Sequence, residues 1–348
     1  MPYKPRECLQ IMDMPDLTEP VIPTRRIFAL TAAAALACPA VLRAAPGDIR
    51  DRARGLDQLH AIMVQRGDEV LVETAPRGPG LDGLANVKSV SKSLLALILG
   101  GVIKDGGVPG VNATLAQVAP SLLPSDATEG TEELTLEDLV TLRMGLERTS
   151  GSNYGAWVSS NNWIDYVLTR DRVAENGGRM LYSTGTTHLL GAALATATGD
   201  SLLTLARRHL GQPLGIEIPP WTRDPQGFYF GGNEMALTPR HMLRVALAMR
   251  DGGRIDDRQA LPATWVEASQ RPRTRSPYSG LSYGYGWFLS RSGWTLARGY
   301  GGQVIAAHPG RDLAVAITSD PLRPARSAGY FGDLMDLLDG PILDLGRA

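Results

Sequence analysis

The chain has 348 residues, enough for one large domain or two small ones around a substantial core. With 43 % hydrophobic and 20 % charged residues and a formal net charge of -1, it offers no electrostatic basis for binding nucleic acid or an acidic membrane. Glycine (39) and proline (24) make up about 18 % of the chain, below the roughly 25–30 % of low-complexity disorder.

Residues 1–23 read as an N-terminal extension. They carry Glu7, Asp13, Asp16 and Glu19, which signal n-regions normally lack, a pattern that predicts a start nearer Met14. Residues 24–45 follow the twin-arginine export pattern: Arg25-Arg26, a short Ala/Leu run, then small residues at Ala44 and Ala45. The apolar run Phe28–Val41 is about 14 residues, interrupted by Pro39, against the roughly 20 needed to span a bilayer. The pattern therefore predicts the export machinery as a partner, no stable membrane span in the mature form, and a periplasmic or secreted protein spanning 46–348. ALAC at 35–38 misses the lipoprotein box by one position, at Leu36. Both cysteines, Cys8 and Cys38, precede the cleavage point, leaving no thiol nucleophile, disulfide or cysteine-bound zinc.

The first periodic element is LHAIMVQRGDEVLVET (59–74), two alternating runs about Gly67-Asp68, which predicts an antiparallel hairpin. NVKSVSKSLLALILGG (86–101) predicts a long helix stopped by Gly100-Gly101 or running on to Gly106-Gly107. Thr135 with Asp138 three positions on predicts a capped helix through about Met144. Further helices are expected over 186–198, closed by Gly199, over 201–210, closed by Gly211, and from Thr238-Pro239 to near Gly252. Residues 221–233 have no period and read as a surface loop. SYGYGWFLS and QVIAAHPGRDLAVAITSD return to strands, and a helix over 324–338 ends the chain. Strands at both ends with helices between predict an α+β domain whose antiparallel sheet is assembled from both termini around a large helical region.

Three stretches carry chemistry. In 86–101 only Ser89 and Lys92 form a Ser/Lys pair with three-residue spacing, one helical turn apart on one face. The helix behind them, Leu94–Leu99, is apolar all round, and a lysine facing such surroundings is paired or partly deprotonated. A lysine so depressed can take a proton from a serine hydroxyl, and Ser89 at a helix start has N–H groups directed at an oxyanion. Tyr182, on a loop before an apolar helix, is placed as a proton shuttle. GYGGQVIAAHP (299–309) is a glycine-rich entry to a strand, where N–H groups can complete an oxyanion hole. Each stretch singly also has a structural reading: an N-cap with a snorkelling lysine, a packed tyrosine, a glycine bulge.

Taken in order, SVSK, YST before a helix closed by TG, and GYGGQ leading into a strand resemble the serine β-lactamase and penicillin-binding-protein superfamily. The resemblance is to its class C-like members, family VIII carboxylesterases and 6-aminohexanoate-dimer hydrolases, over about residues 59–320. LTLEDLVTLRMGL, GGNEMALTPRHMLRVALAMRDGGRI and YGYGWFL look like that family's connecting segments. The resemblance implies a β-lactamase-like fold and a cofactor-free, metal-free serine hydrolase acting on a small-molecule ester or amide. Ser89 would be the acylated nucleophile, Lys92 its activator and Tyr182 the proton relay. The Ser89 N–H and one from 299–302, with Tyr300 preferred and Gly301 and Gly302 beside it, would hold the oxyanion. Thr184 and Tyr154 would line the substrate cleft. Two departures stand out. The last motif lacks the lysine that meets the carboxylate of β-lactams, and the second has Thr184 where penicillin-recognising enzymes carry Asn. Both favour a neutral ester or amide over β-lactamase or DD-peptidase activity, with a catalytically inactive binding or sensor domain as the remaining reading.

Gly280-Leu281-Ser282-Tyr283-Gly284 matches the G-x-S-x-G nucleophile elbow, but a strand-like run follows it and no acid lies between Ser282 and His308. The histidines at 60, 188, 209, 241 and 308 have no metal-ligand spacing, and His188 reads as structural.

Overall fold

In LAVAITS, Leu313, Val315 and Ile317 alternate with Ala314 and Ala316, so one side of this strand is bulky and the other nearly flat. The computed structural model describes residues 45–346 and has this strand inside its main sheet. The sheet's strands are β1 (Leu59–Arg66), β2 (Glu69–Thr74), β3 (Thr274–Arg275), β4 (Ser282–Tyr283), β5 (Phe288–Leu289), β6 (Thr295–Arg298), β7 (Val304–His308) and β8 (Leu313–Ser319). They lie in the order β2-β1-β8-β7-β6-β5-β4-β3, and every neighbouring pair is antiparallel. The N-terminal hairpin docks on the last strand, with Ile62 opposite Ile317 and Val64 opposite Val315. This is the α+β arrangement expected from strands at both ends of the sequence. The two-residue strands β3–β5 are too short for periodicity to show them.

The helices that frame the sheet and site are α1 (Pro46–Gly55), α2 (Val90–Lys104), α3 (Thr184–Thr198), α4 (Leu202–Ala206), α5 (Pro239–Arg250) and α6 (Tyr330–Leu337). The bulky sheet face, with Ile62, Val64, Val304, Val315 and Ile317, shares a core with Ile49 and Ala53 of α1 and Phe331 and Leu334 of α6. On the flat face, Met63, Ala307, Ala314 and Ala316 join the larger core that contains α2, α3 and α5. Alanine there lets α5 lie close against β7 and β8. α2 is buried from Val90 to Val102, as its run Leu94–Leu99, apolar all round, requires.

Several boundaries differ from expectation. α2 runs through Gly100 and Gly101 to Lys104, because these glycines are packing positions: a Cβ on Gly101 would lie 2.6 Å from the His209 ring, and one on Gly100 would enter the Trp265 indole. The Thr135–Asp138 cap forms in both directions, yet its helix is only Leu136–Val140, since Leu142 is left-handed at φ 61°. The helical path from α4 continues past Gly211 through a wider turn to Leu214 and closes at Gly215, at φ 62°. α1 was not expected, because Ile49 and Ala53 are its only buried residues and the rest of the segment is polar or charged. α6 begins at Tyr330, leaving 324–327 as a loop on the active cleft. The predicted extension and the export signal up to Ala44 lie outside the described residues. Among the described residues no single helix is long and apolar enough to cross a membrane.

Candidate active site

The site is assembled around the turn that precedes α2. Ala85 and Asn86 pair with Leu237 and Ala236, and the Val87 N–H donates to the Met235 carbonyl at 2.9 Å. Lys88 then takes a left-handed φ of 50°, rare for a residue with a side chain, and delivers Ser89 to the helix start. Three side-chain contacts hold that turn. The Asn86 side chain accepts from the Lys88 N–H at 2.9 Å, Lys88 forms a 2.9 Å ion pair with Glu234, and Asn86 donates to the other Glu234 oxygen at 2.6 Å. Glu234 is itself left-handed at φ 68°. Ser91 and Ser93 fasten the helix start to its surroundings: Ser91 donates to the Lys88 carbonyl and accepts from the Met235 N–H, and Ser93 donates to the Gly286 carbonyl.

Ser89 makes no side-chain cap to α2; its Oγ lies 3.1 Å from Lys92 Nζ. Lys92 is 2 % exposed and reaches two more acceptors, the Gly232 carbonyl at 2.8 Å and Thr184 Oγ1 at 3.2 Å. Burial, with no carboxylate beside it to compensate, lowers its pKa from 10.5 to about 7. A neutral amine in this position keeps two N–H donors for Gly232 and Thr184 and presents its lone pair to the Ser89 hydroxyl. Lys92 also sits 5.1 Å from the centre of the Tyr182 ring. Burial raises the Tyr182 pKa, against smaller lowering effects from the Ser89 hydroxyl and the Arg298 guanidinium. The tyrosine ring stacks on Phe288 of β5.

The start of α3 is pinned from the side by Thr149 and Ser150. Ser183 Oγ accepts from the Thr149 N–H at 3.1 Å, Thr149 Oγ1 accepts from the Gly185 N–H, and Ser150 Oγ accepts from the Thr184 N–H at 2.9 Å. Thr184 Oγ1 thus bridges Lys92 and Ser150.

The 299–303 turn faces Ser89 from the end of β6. A Cβ on Gly299 would meet the Val87 carbonyl at 2.6 Å, so glycine is what allows this turn to lie against the nucleophile turn. The Gly299 N–H donates to the Gln303 carbonyl, Gly301 to Gln303 Oε1 and Gly302 to the Gly299 carbonyl. Among the described residues, neither the Tyr300 nor the Ser89 N–H has an acceptor. Gly301 and Gly302 are buried with their donors in use, so as oxyanion donors they are corrected: the geometry leaves Tyr300 alone. Gln303, which the sequence did not single out, holds the turn by also donating to the Ser319 carbonyl.

Two lobes of a cleft open on Ser89, Tyr182, Tyr278 and Tyr300. One, of about 650 Å³, is lined by Tyr154, Ser150, Thr184, Asn233 and Glu234. The other, of about 390 Å³, is lined by Phe288, Arg298, Ser279 and the 324–327 loop. Tyr154 lies in the cleft, as expected, and its hydroxyl accepts from the Asn233 side chain at 3.1 Å. Ser150, Asn233, Glu234, Tyr278 and Arg298 were not identified from sequence. Only Arg298 carried a signal, being a charge directly before a glycine-rich strand entry.

Ser282 does not form an elbow: it lies on β4, paired with Leu289 of β5, and lines a separate hollow that does not include Ser89. His188 is fully buried, its Nε2 2.9 Å from Asp224 and its Nδ1 accepting from the Gly231 N–H, which ties α3 to the 221–233 loop. No metal-holding group of His, Cys, Asp or Glu occurs among the described residues.

The Beta-lactamase family model matches residues 56–336, which holds the whole of this site. The chain belongs to the Beta-lactamase family. Solved structures agree on the fold at low identity. The chain is similar to a Bacillus anthracis protein assigned as a 6-aminohexanoate-dimer hydrolase (17 % identity, TM-score 0.68, covering 84 % of this chain and 79 % of that one). It is also similar to EstCE1, a hydrolase with promiscuous acyltransferase activity (16 %, 0.71, 85 % and 99 %). A third is a penicillin-binding-protein homologue from Caulobacter crescentus (18 %, 0.62, 78 % and 92 %). No curated protein sequence matches. Membership in the Beta-lactamase family makes the chain a hydrolase by family and leaves its substrate to the cleft.

Proposed function

We propose that this Beta-lactamase family member is an exported serine hydrolase that cleaves a carboxylic ester or amide through an acyl-enzyme on Ser89. The observation that carries the reading is the buried Lys92 amine, with a pKa of about 7, 3.1 Å from Ser89 Oγ. Neutral Lys92 takes the hydroxyl proton as Ser89 Oγ bonds to the substrate carbonyl carbon. The carbonyl oxygen becomes an oxyanion held by the Ser89 and Tyr300 N–H groups. Tyr182 gives its proton to the departing oxygen or nitrogen and regains one from the Lys92 ammonium, so the serine proton ends on the leaving group. Water then attacks the acyl-enzyme, its proton passing back through the same pair, and the acid leaves with Ser89 restored. The twin-arginine pattern at 24–45 supports export.

A fluorophosphonate probe followed by intact-mass measurement tests the reading. One adduct is expected on wild type and on Ser282→Ala, and none on Ser89→Ala. An adduct that persists in Ser89→Ala would overturn the assignment. Turnover of p-nitrophenyl esters, short linear amides and nitrocefin on one preparation then tests the substrate class, and nitrocefin turnover far exceeding ester cleavage would overturn the ester or amide preference.

A further inference from the structure

The smaller lobe of the cleft has an unusual charge balance. Arg298, at the end of β6, is mostly buried there, with its guanidinium carbon 3.0 Å from the centre of the Phe331 ring and 5.5 Å from that of Phe288. Among the described residues it has no carboxylate partner and no hydrogen-bond acceptor; its contacts are the two aromatic faces and the nearby Tyr182 phenol. Arg250 and Arg143, by contrast, have carboxylate partners: Arg250 pairs with Asp251 and Asp312, and Arg143 with Glu137. No acidic residue lines the Arg298 lobe, while a second cation, Arg326, stands on its rim. Ser279 adds a buried hydroxyl with no partner among the described residues. The larger lobe differs in holding an acid: there the Lys88 charge is met by Glu234, while Arg148 bonds the Tyr278 hydroxyl. Burial lowers the Arg298 pKa to about 10, so the group remains a cation at neutral pH.

A desolvated guanidinium with its edge free and its face on aromatic rings is suited to a planar anion bound through two N–H groups. The geometry points to a carboxylate subsite in this lobe, with Arg298 as its cation, so that the ester or amide cleaved at Ser89 itself carries a carboxylate. This rests on the acyl-transfer reading above and departs from the neutral substrate expected from sequence: the motif lacks its lysine, but a cation enters the cleft from the residue just before it. Ser89 borders both lobes, so the carboxylate lies on one side of the scissile bond and the rest of the substrate extends into the larger lobe.

Two substrate pairs read the subsite. On the acyl side, p-nitrophenyl butyrate is compared with the mono-p-nitrophenyl ester of glutaric acid. On the leaving-group side, phenyl butyrate is compared with the butyrate ester of 3-hydroxybenzoate. Wild type is expected to favour the anionic member of one pair by at least tenfold in kcat/KM. Arg298→Gln should reduce that ratio to within threefold of unity, and Arg298→Lys should keep part of it. No preference in either pair, or a preference that survives Arg298→Gln, would overturn the subsite. Glutarate binding by calorimetry, expected in wild type and lost in Arg298→Gln, reads the subsite without turnover. If no ester is cleaved and no fluorophosphonate adduct forms while glutarate still binds through Arg298, the acyl-transfer reading fails and the anion subsite stands. Fluorophosphonate labelling of Arg298→Gln shows that the variant is folded; if it is not, the wild-type ratios and Arg298→Lys decide.

Discussion

Replacing Lys92 by methionine separates the catalytic cost of an activated lysine from its structural cost. In the unfolded chain the amine has its ordinary pKa of 10.5; in the fold burial holds it at about 7. Between those values the unfolded state binds more protons than the folded state, so stability rises with pH across that window and the full penalty applies below it. At pH 7 the penalty of keeping this amine in the core is about 4 kcal/mol, and at pH 9 about 2 kcal/mol, from 1.36 kcal/mol per pH unit. Methionine removes this pH-dependent cost but leaves the Gly232 carbonyl without its donor, a pH-independent loss of roughly 1–3 kcal/mol, while the Thr184 hydroxyl keeps Ser150. The sign of the net change at pH 7 is therefore set by two similar quantities, whereas the pH dependence is not. Urea unfolding of wild type and Lys92→Met at pH 7 and pH 9 should show wild type gaining about 2 kcal/mol relative to the variant over that interval. Other titrating groups cancel in the difference. Parallel pH dependences would refute the depressed lysine, and with it the proposed base. The same pKa predicts that wild-type kcat/KM rises with pH through about 7 as Lys92 loses its proton.

Tyr182→Phe keeps the stack on Phe288 but removes the relay hydroxyl, so kcat should fall by about 10²–10⁴ with the fold intact; stopped-flow ester kinetics check this, and a loss under tenfold would remove Tyr182 from the proton path. Gly299→Ala places a methyl group against the Val87 carbonyl, and the 299–303 turn must move away from Ser89. We expect kcat to drop about 10²-fold, as for loss of one oxyanion donor, with KM little changed. Glu234→Gln leaves Lys88 without its ion pair at a left-handed backbone position, and thermal melts should show a destabilisation of about 1–2 kcal/mol with slower acylation by the fluorophosphonate. Restoration of the acylation rate in a Lys88→Gly, Glu234→Gln double variant would show that the pair acts by holding the backbone.

The local geometry of the site was legible in sequence because it depends on local spacing. Three-residue separation within one helix places Ser89 and Lys92 a turn apart whatever the rest of the chain does, and an apolar helix behind them implies a buried amine. Alternating strands at both ends and capped helices between them likewise indicated the sheet and its helical region, since both periodicities are properties of the backbone. Where boundaries were missed, a glycine was answering to packing, as at Gly100 and Gly101, or a polar helix such as α1 had little apolar signal to show.

Tertiary structure alone decided what meets the local motif. Glu234 reaches Lys88 across 146 positions, the Gly232 carbonyl reaches Lys92 across 140, and Gln303 selects Tyr300 as the free donor by occupying the N–H of Gly301. In the sequence Arg298 is only a charge before a glycine-rich strand entry; the fold stacks it on Phe331 in a lobe without acids. Such contacts depend on the path of the whole chain rather than on a repeat along it.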